Sequence, residues 1–257
     1  MTVFFLYLCQ MQDNQTIFGI RAIIEAIDAG KEIEKVYLQK ELKNPLINEL
    51  YGIIKKNRIA SSYVPIEKLN RLSKYQNHQG AVAKISQISF ADLEQVIDKV
   101  LSQEKPANFL LLDQVSDVRN FGAILRTAEC SGVDAVIIPN HGNAPLNADA
   151  IKTSAGAAFK IPICKVEHAK DAVYLLQAND IKIVSVTEKT NHLLFDVDLK
   201  QSVALVLGSE HKGITPSILK ISDYKAKLPL LGSIESLNVS VAGGIAMYEV
   251  VRQRLVK

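Results

Sequence analysis

From residue 108 onward, short runs of near-continuous apolar character alternate with amphipathic segments. This rhythm constrains the fold more than any other feature of the chain. The runs "FLLLD", "VDAVIIP", "IPICKV", "IKIVSVT" and "VALVLG" each read as a strand with no polar side, and helical segments lie between them. Such a strand must be covered on both faces, which is the setting of a parallel sheet in an α/β domain. Ligands of such sheets sit beyond the carboxyl ends of the strands. The polar stretches fall in those places: "DQVSDVRN" follows the first strand, "TEKTN" follows "IKIVSV", "GSEHKG" follows "VALVL", and "LGSIES" follows "AKLP". "TPSILKIS" reads as a helix with Thr215 as cap and Pro216 as first residue, and "SLNVSVAGGIAMYEVVRQRL" as a closing helix.

The first third carries a second, smaller α/β pattern. In "FGIRAIIEAIDAG", Ile20, Ile23, Ile24 and Ile27 recur at helical spacing, with Gly30 as a stop. "IEKVYLQ" is a short strand. "NPLINELYGIIKKN" is a helix opened by Asn44 as cap and Pro45 in the first turn. "IASSYVP" is a strand, "IEKLNRLSK" a short helix and "GAVAKIS" a strand. Residues 86–107 are polar, end in Lys105-Pro106, and read as a connector with a first helix. The expected division is therefore a small domain at 15–85, a linker at 86–107 and a larger domain at 108–257.

A chain of 257 residues with 48% apolar content is long enough for this arrangement. Residues 1–85 hold 12 Lys and Arg against 8 Asp and Glu, while the remainder holds 18 against 19. All the excess positive charge thus lies in the first third, where a polyanion could use it, although an ordinary solvated surface has the same composition. Cys9, Cys130 and Cys164 are far apart, odd in number and form no C-x-x-C, which fits a reducing cytoplasm rather than a disulfide framework. The five histidines are scattered, so no metal is expected. "MTVFFLYLCQ" lacks a basic leader and is far shorter than the ~20 residues that span a bilayer. We expect translation to begin at Met11 and no membrane partner.

G-x-G-x-x-G, a Walker A loop and G-x-S-x-G are all absent, which removes the commonest α/β functions. Three loops remain as sources of a site. In "NFGAILRTAE", Asn120 could cap a helix and Arg126 would fall on roughly the same face. Arg126 suits a phosphate or carboxylate, or is a surface arginine on an amphipathic helix. In "LVLGSEHKGIT", Gly208 ends a strand and frees the backbone, with Glu210 just beyond, or the stretch is an ordinary strand-to-helix turn. In "SIESLNVSVAGG", Ser236 and Asn238 could cap or bind. The Gly243-Gly244 pair, each about 1 kcal/mol worse than Ala in a helix, implies close backbone approach to a ligand or to another helix.

Taken in order, N-x-G-A-x-x-R-T-A, L-G-S-E-x-x-G and L-P-x-x-x-x-x-x-S-L-N-V-S-V-A resemble the three motifs of the SpoU (TrmH-like) family of RNA ribose 2′-O-methyltransferases. The match covers about 108–254. "FGIRAIIEAI" and "HQGAVAKI" are similar to the substrate-binding domain of the RlmB-type members, a fold like that of ribosomal protein L30e. The resemblance implies a parallel α/β catalytic domain threaded into a deep trefoil knot. It implies S-adenosylmethionine as methyl donor, with Gly208, Leu228 and Leu237 presenting backbone groups to it and Thr187 beside its adenosine end. Arg126 matches the family's catalytic arginine. Asn120, Glu210, Ser236 and Asn238 match the remaining polar positions. The resemblance further implies a homodimer near the last helix, no metal, and an RNA-binding first domain in which Arg21 is a contact or a solvated helix residue. The substrate it implies is a guanosine of 23S rRNA. A tRNA substrate and a non-catalytic RNA-binding role are the rival readings.

Overall fold

The computed structural model describes residues 16–28, 31–40, 45–85, 89–210, 212–234 and 236–255. The expected start at Met11, the Gly30 stop and the Asn44 cap lie outside the described residues. The chain divides after Ser89 into two compact units.

The first unit is a four-stranded sheet in the order β1-β4-β2-β3. Its strands are β1 (Thr16–Phe18), β2 (Ile33–Gln39), β3 (Ser61–Val64) and β4 (Ala81–Ile85). Strand β4 runs antiparallel to both β1 and β2, and β2 runs parallel to β3. Helices α1 (Ile20–Asp28) and α2 (Pro45–Lys56) bury Ile20, Ile23, Ile47, Leu50 and Ile54 against Val36, Leu38, Ala81 and Ala83 on one face. The periodic isoleucines of α1 are the ones the sequence pattern selects. On the other face, α3 (Ile66–Leu72) packs Leu69 against Val64 and Val82, with Phe18 and Tyr37 beside them. Strand β1 is an addition to the sequence reading, which assigned Phe18 to the helix. Three residues are too few to show a strand period, and pairing with β4 makes them a strand.

The second unit is an all-parallel six-stranded sheet in the order β10-β8-β9-β5-β6-β7. Its elements in chain order are α4 (Leu93–Leu101), β5 (Asn108–Asp113), α5 (Val118–Cys130), β6 (Ala135–Pro139), α6 (Ala148–Thr153) and β7 (Ile163–Val166). These continue as α7 (Ala169–Ala178), β8 (Lys182–Val186), β9 (Val203–Gly208), α8 (Pro216–Ile221), β10 (Tyr224–Ala226) and α9 (Val239–Leu255). Every residue of β5, β6 and β9 is buried, as the unbroken apolar runs require. Helices α4, α7 and α8 contribute Ile97, Val173, Leu176 and Ile218 to the layer on Phe109, Leu111, Ile137 and Val206. The connector expected at 86–107 is thus largely part of this unit. Helix α4 belongs to its core, and Ala91 bridges to Cys164 at the edge of β7. Burial pushes the Cys164 thiol up to about 12, with the charge of Asp92 adding to it, so it is an inert core group.

Helix α9 is fastened to the base of the sheet by its charged end. Arg254 donates to the carbonyls of Pro106, Ala107, Leu199 and Gln201, at 2.8–3.1 Å. One turn earlier, Glu249 is 5% exposed and accepts from Arg252 Nε and Nη2 and from Gln253 Nε2, each at 2.8 Å. Gln253 in turn takes the Leu199 N–H and donates to Val197 O. Hydrogen bonding from Arg252 holds the Glu249 carboxyl below its ordinary 4.5, against the opposing effect of burial. A depressed carboxyl stabilises the fold above that ordinary value and loses its contribution as pH falls through the lowered one. Glu249→Gln should therefore lower Tm at neutral pH. The gap to the wild type should narrow as pH drops below about 4.5, as read by thermal unfolding across pH. A gap that does not change with pH would rule out this ionic role.

Candidate active site

Strand order reverses between β5 and β9. The chain runs outward from β5 through β6 to β7, then returns to build β8, β9 and β10 on the other side. Such a switch point opens a crevice at the carboxyl ends of the strands. Asp113 and Gly208, the last residues of β5 and β9, are register partners there, so the loops that follow them start side by side.

Those loops bring three of the expected polar residues together. Asn120 Nδ2 donates to Glu210 Oε1 at 2.7 Å, and Asn238 Nδ2 donates to the same oxygen at 2.9 Å and to Asn120 Oδ1 at 3.1 Å. They come from the start of α5, the loop after β9 and the residue before α9. The sequence suggested Asn120 as a cap for α5, and it is not the cap. Asp117 is, by accepting the Asn120 N–H at 2.8 Å, which frees the Asn120 side chain for Glu210. Asn238 does act as a cap, because its Oδ1 accepts the Ser240 N–H at 2.9 Å. The carbonyl side of the amide thus fixes the helix start while its NH2 side fixes Glu210. Glu210 Oε2 accepts from none of the described residues.

Arg126 and Ser236 are exposed and stand outside this hydrogen-bonded group. Residues six apart on a helix are about 120° apart around its axis, so the shared face expected for Asn120 and Arg126 is not formed. Among the described residues Arg126 has no hydrogen-bond or ion-pair partner. Arg21 is exposed on α1.

Beside the cluster lies a cleft of about 340 Å³. It is walled by the loops after β8, β9 and β10 and by the entry to α9. Thr187, Gly208, Leu228 and Leu237, the four positions expected to hold a cofactor, all line it, as do Glu210 and Ser236. Val186, Leu207, Val239 and Ala242 make its apolar side. Sequence reading missed Glu188, Lys189 and Lys212, which line the same cleft. They occupy polar loop positions that also suit plain solvated residues, and no spacing singled them out.

The glycines have reasons inside the chain. A Cβ on Gly208 would lie 2.2 Å from Gly213 C and 2.3 Å from Ile214 N. Gly208 therefore admits the chain's own returning backbone. Ser209 and Gly213 close that return with a pair of backbone hydrogen bonds at 2.9 and 3.2 Å. A Cβ on Gly243 would lie 2.6 Å from Leu207 Cδ1, so this glycine seats α9 on β9. At Gly244 the nearest atom would be Thr127 Cγ2 at 3.7 Å, an ordinary contact. The pair is thus explained by packing on β9 at one residue, and the other has space.

A parallel α/β unit with a cleft and a polar cluster at its switch point is the usual setting of a small-molecule site in the α/β class. Comparison with known proteins makes this specific. A profile described as the SpoU rRNA Methylase family matches residues 107–248, and one described as RNA 2′-O ribose methyltransferase substrate binding matches residues 16–91. A protein of Staphylococcus saprophyticus described as a TrmH family tRNA/rRNA methyltransferase is 34% identical over 238 residues, covering 93% of this chain and 95% of its own. Among solved structures, the SpoU methyltransferase AviRb from Streptomyces viridochromogenes, in complex with AdoMet, superposes with a TM-score of 0.61 at 23% identity. That superposition covers 94% of this chain and 91% of AviRb. The A. aeolicus TrmH/SpoU tRNA modifying enzyme gives a TM-score of 0.54 at 29% identity, covering 63% of this chain and 84% of its own. The chain belongs to the SpoU family of S-adenosylmethionine-dependent RNA 2′-O-ribose methyltransferases.

Gly208→Ala should overpack the return at Gly213 and cost about 1–3 kcal/mol, a fall in Tm of several degrees. Cofactor affinity should fall with it, because the same return walls the cleft. An unchanged melting curve and unchanged affinity would show that the backbone approach is not tight.

Proposed function

We propose that this protein methylates the ribose 2′-hydroxyl of a guanosine in 23S rRNA, as a cytoplasmic homodimer whose catalytic domain is knotted. The observation that carries the reading is that all four expected cofactor positions line one cleft with Glu210 at its edge. The rRNA assignment is supported by the family description itself and by a separate substrate-binding unit. The A. aeolicus tRNA enzyme aligns with only 63% of this chain. The dimer is supported by α9, where Val241, Ile245, Tyr248 and Leu255 form an exposed apolar stripe at helical spacing. No helix of the described residues is long and apolar enough to cross a membrane, and none of them form a group of His, Cys, Asp or Glu able to hold a metal.

The cleft suits S-adenosylmethionine in size and chemistry. It is concave, lined by apolar and polar residues together, and includes Gly208, Leu228 and Leu237, whose backbone groups would meet the cofactor. The cofactor supplies an activated methyl on a sulfonium, so the protein's task is to align the acceptor oxygen and exclude water. Asn120 and Asn238 hold Glu210 Oε1 from two sides, which orients the carboxylate. Its Oε2 is then placed to accept a hydrogen bond from the ribose hydroxyl. The Arg126 guanidinium offers a planar fork of N–H donors suited to phosphate. It binds a phosphate of the substrate and stabilises the negative charge that develops on the attacking oxygen. Ser236, at the cleft wall, positions substrate and cofactor relative to each other.

Purified protein with radiolabelled S-adenosylmethionine should label large-subunit rRNA from a strain lacking the gene, at a single 2′-O position. Label confined to tRNA would overturn the rRNA assignment, and no label in rRNA, tRNA or ribosomal precursors would overturn the activity. Arg126→Ala should lower methyl transfer by at least about a hundredfold while leaving cofactor affinity within about twofold. Turnover like the wild type's would remove Arg126 from the mechanism.

A further inference from the structure

The first unit carries a cluster of lysines on the sheet face opposite α1 and α2. Lys35 on β2 and Lys84 on β4 are direct register partners in an antiparallel pair. Partners in such a pair have Cβ atoms about 5 Å apart, and like charges there are unfavourable. The next pair along the same face is Tyr37 with Val82. The Tyr37 ring receives two ammonium groups, Lys35 Nζ at 5.5 Å and Lys68 Nζ, from α3, at 5.1 Å from its centroid. Cation–π attraction therefore holds two of the three lysines in place over a half-buried ring. Among the described residues none of the three lysines has a carboxylate partner. Arg21, the contact expected from sequence, lies on α1, which covers the other face of this sheet.

The geometry points to Lys35, Lys68 and Lys84, arranged around Tyr37, as the seat of the substrate RNA's phosphodiester backbone. This deepens the rRNA reading and rests on it. A cross-strand lysine pair costs stability unless an anion bridges it, and a polyanion with regularly spaced phosphates offsets the repulsion at several points at once. Such contacts fix the RNA's position and carry no base preference. The sequence and length of the RNA are then read elsewhere, and this patch sets affinity.

The test compares full-length wild type with Lys35→Gln/Lys84→Gln and with Lys55→Gln/Lys56→Gln, a pair of exposed lysines on α2. Binding of fluorescein-labelled, deproteinised total rRNA is measured by anisotropy between about 50 and 200 mM salt, and S-adenosylmethionine affinity by calorimetry. The Lys35/Lys84 variant should bind RNA about tenfold more weakly at low salt, with a log–log salt slope shallower by about 1.4 to 1.8, from roughly 0.7 to 0.9 per phosphate contact. The Lys55/Lys56 variant should match the wild type, and cofactor affinity should not change in either. A further variant, Lys84→Glu, should raise Tm by giving Lys35 a cross-strand partner while losing RNA affinity, a combination that a purely structural lysine would not give. Equal losses in the two double variants, an unchanged slope, or competition by polyglutamate as strong as by RNA would each overturn the patch. Those outcomes leave the methyltransferase reading intact if the wild type still methylates rRNA. A wild type that binds cofactor but no RNA would overturn both.

Discussion

The site depends on one close backbone approach. At Gly208 the chain leaves β9 and returns against itself, with Gly213 and Ile214 in the volume a side chain would take. That return sets the direction of the Ser209–Gly213 loop, and with it the position of Glu210 and one wall of the cleft. Thr215, where the loop ends, is tied back to β5, because Asp113 Oδ2 accepts its N–H at 2.6 Å and Gln114 donates to its hydroxyl at 3.1 Å. The loop after β9 is therefore clamped to the end of the neighbouring strand. This gives Glu210 the rigid support that a positioned carboxylate needs.

The far end of α9 complements this clamp. Gly243 lets the helix sit on Leu207, Asn238 anchors its start to the polar cluster, and Arg254 ties its last turn to four carbonyls at the base of the sheet. One helix thus joins the bottom of the domain to the top of the cleft. A helix apolar around most of its circumference is normally buried on most sides. Here part of that surface, Val241, Ile245 and Tyr248, is left uncovered by the chain itself. The residue that caps this helix, Asn238, completes the cluster, and the helix itself carries the surface proposed for self-association.

Much of this was legible in the sequence because it follows from periodicity and from polar loops at strand ends. The parallel sheet was readable from strands such as Phe109–Leu112 and Val203–Leu207, which have no polar alternation at all. Leu228 and Leu237 were reached only through the family resemblance, since a role carried by the backbone leaves no mark on a side-chain pattern. Other features depended on the path of the chain. The cap of α5 was misplaced, because Asp117 and Asn120 are both good capping residues and only the turn geometry chooses between them. The close approach behind Gly208 was not visible, because contact with Gly213 depends on the path of the loop. The Lys35–Lys84 pairing lies 49 positions apart along the chain and appears only when β4 is set antiparallel to β2.

The central claim is that the cleft between the loops after β8, β9 and β10 holds the methyl donor. Ultraviolet cross-linking of the full-length protein with tritiated S-adenosylmethionine, followed by mass-spectrometric location of the label, tests it most directly. The account predicts label confined to peptides containing residues 186–189, 207–213 or 227–242, and abolished by excess unlabelled cofactor. Specific label in any other part of the chain would contradict it.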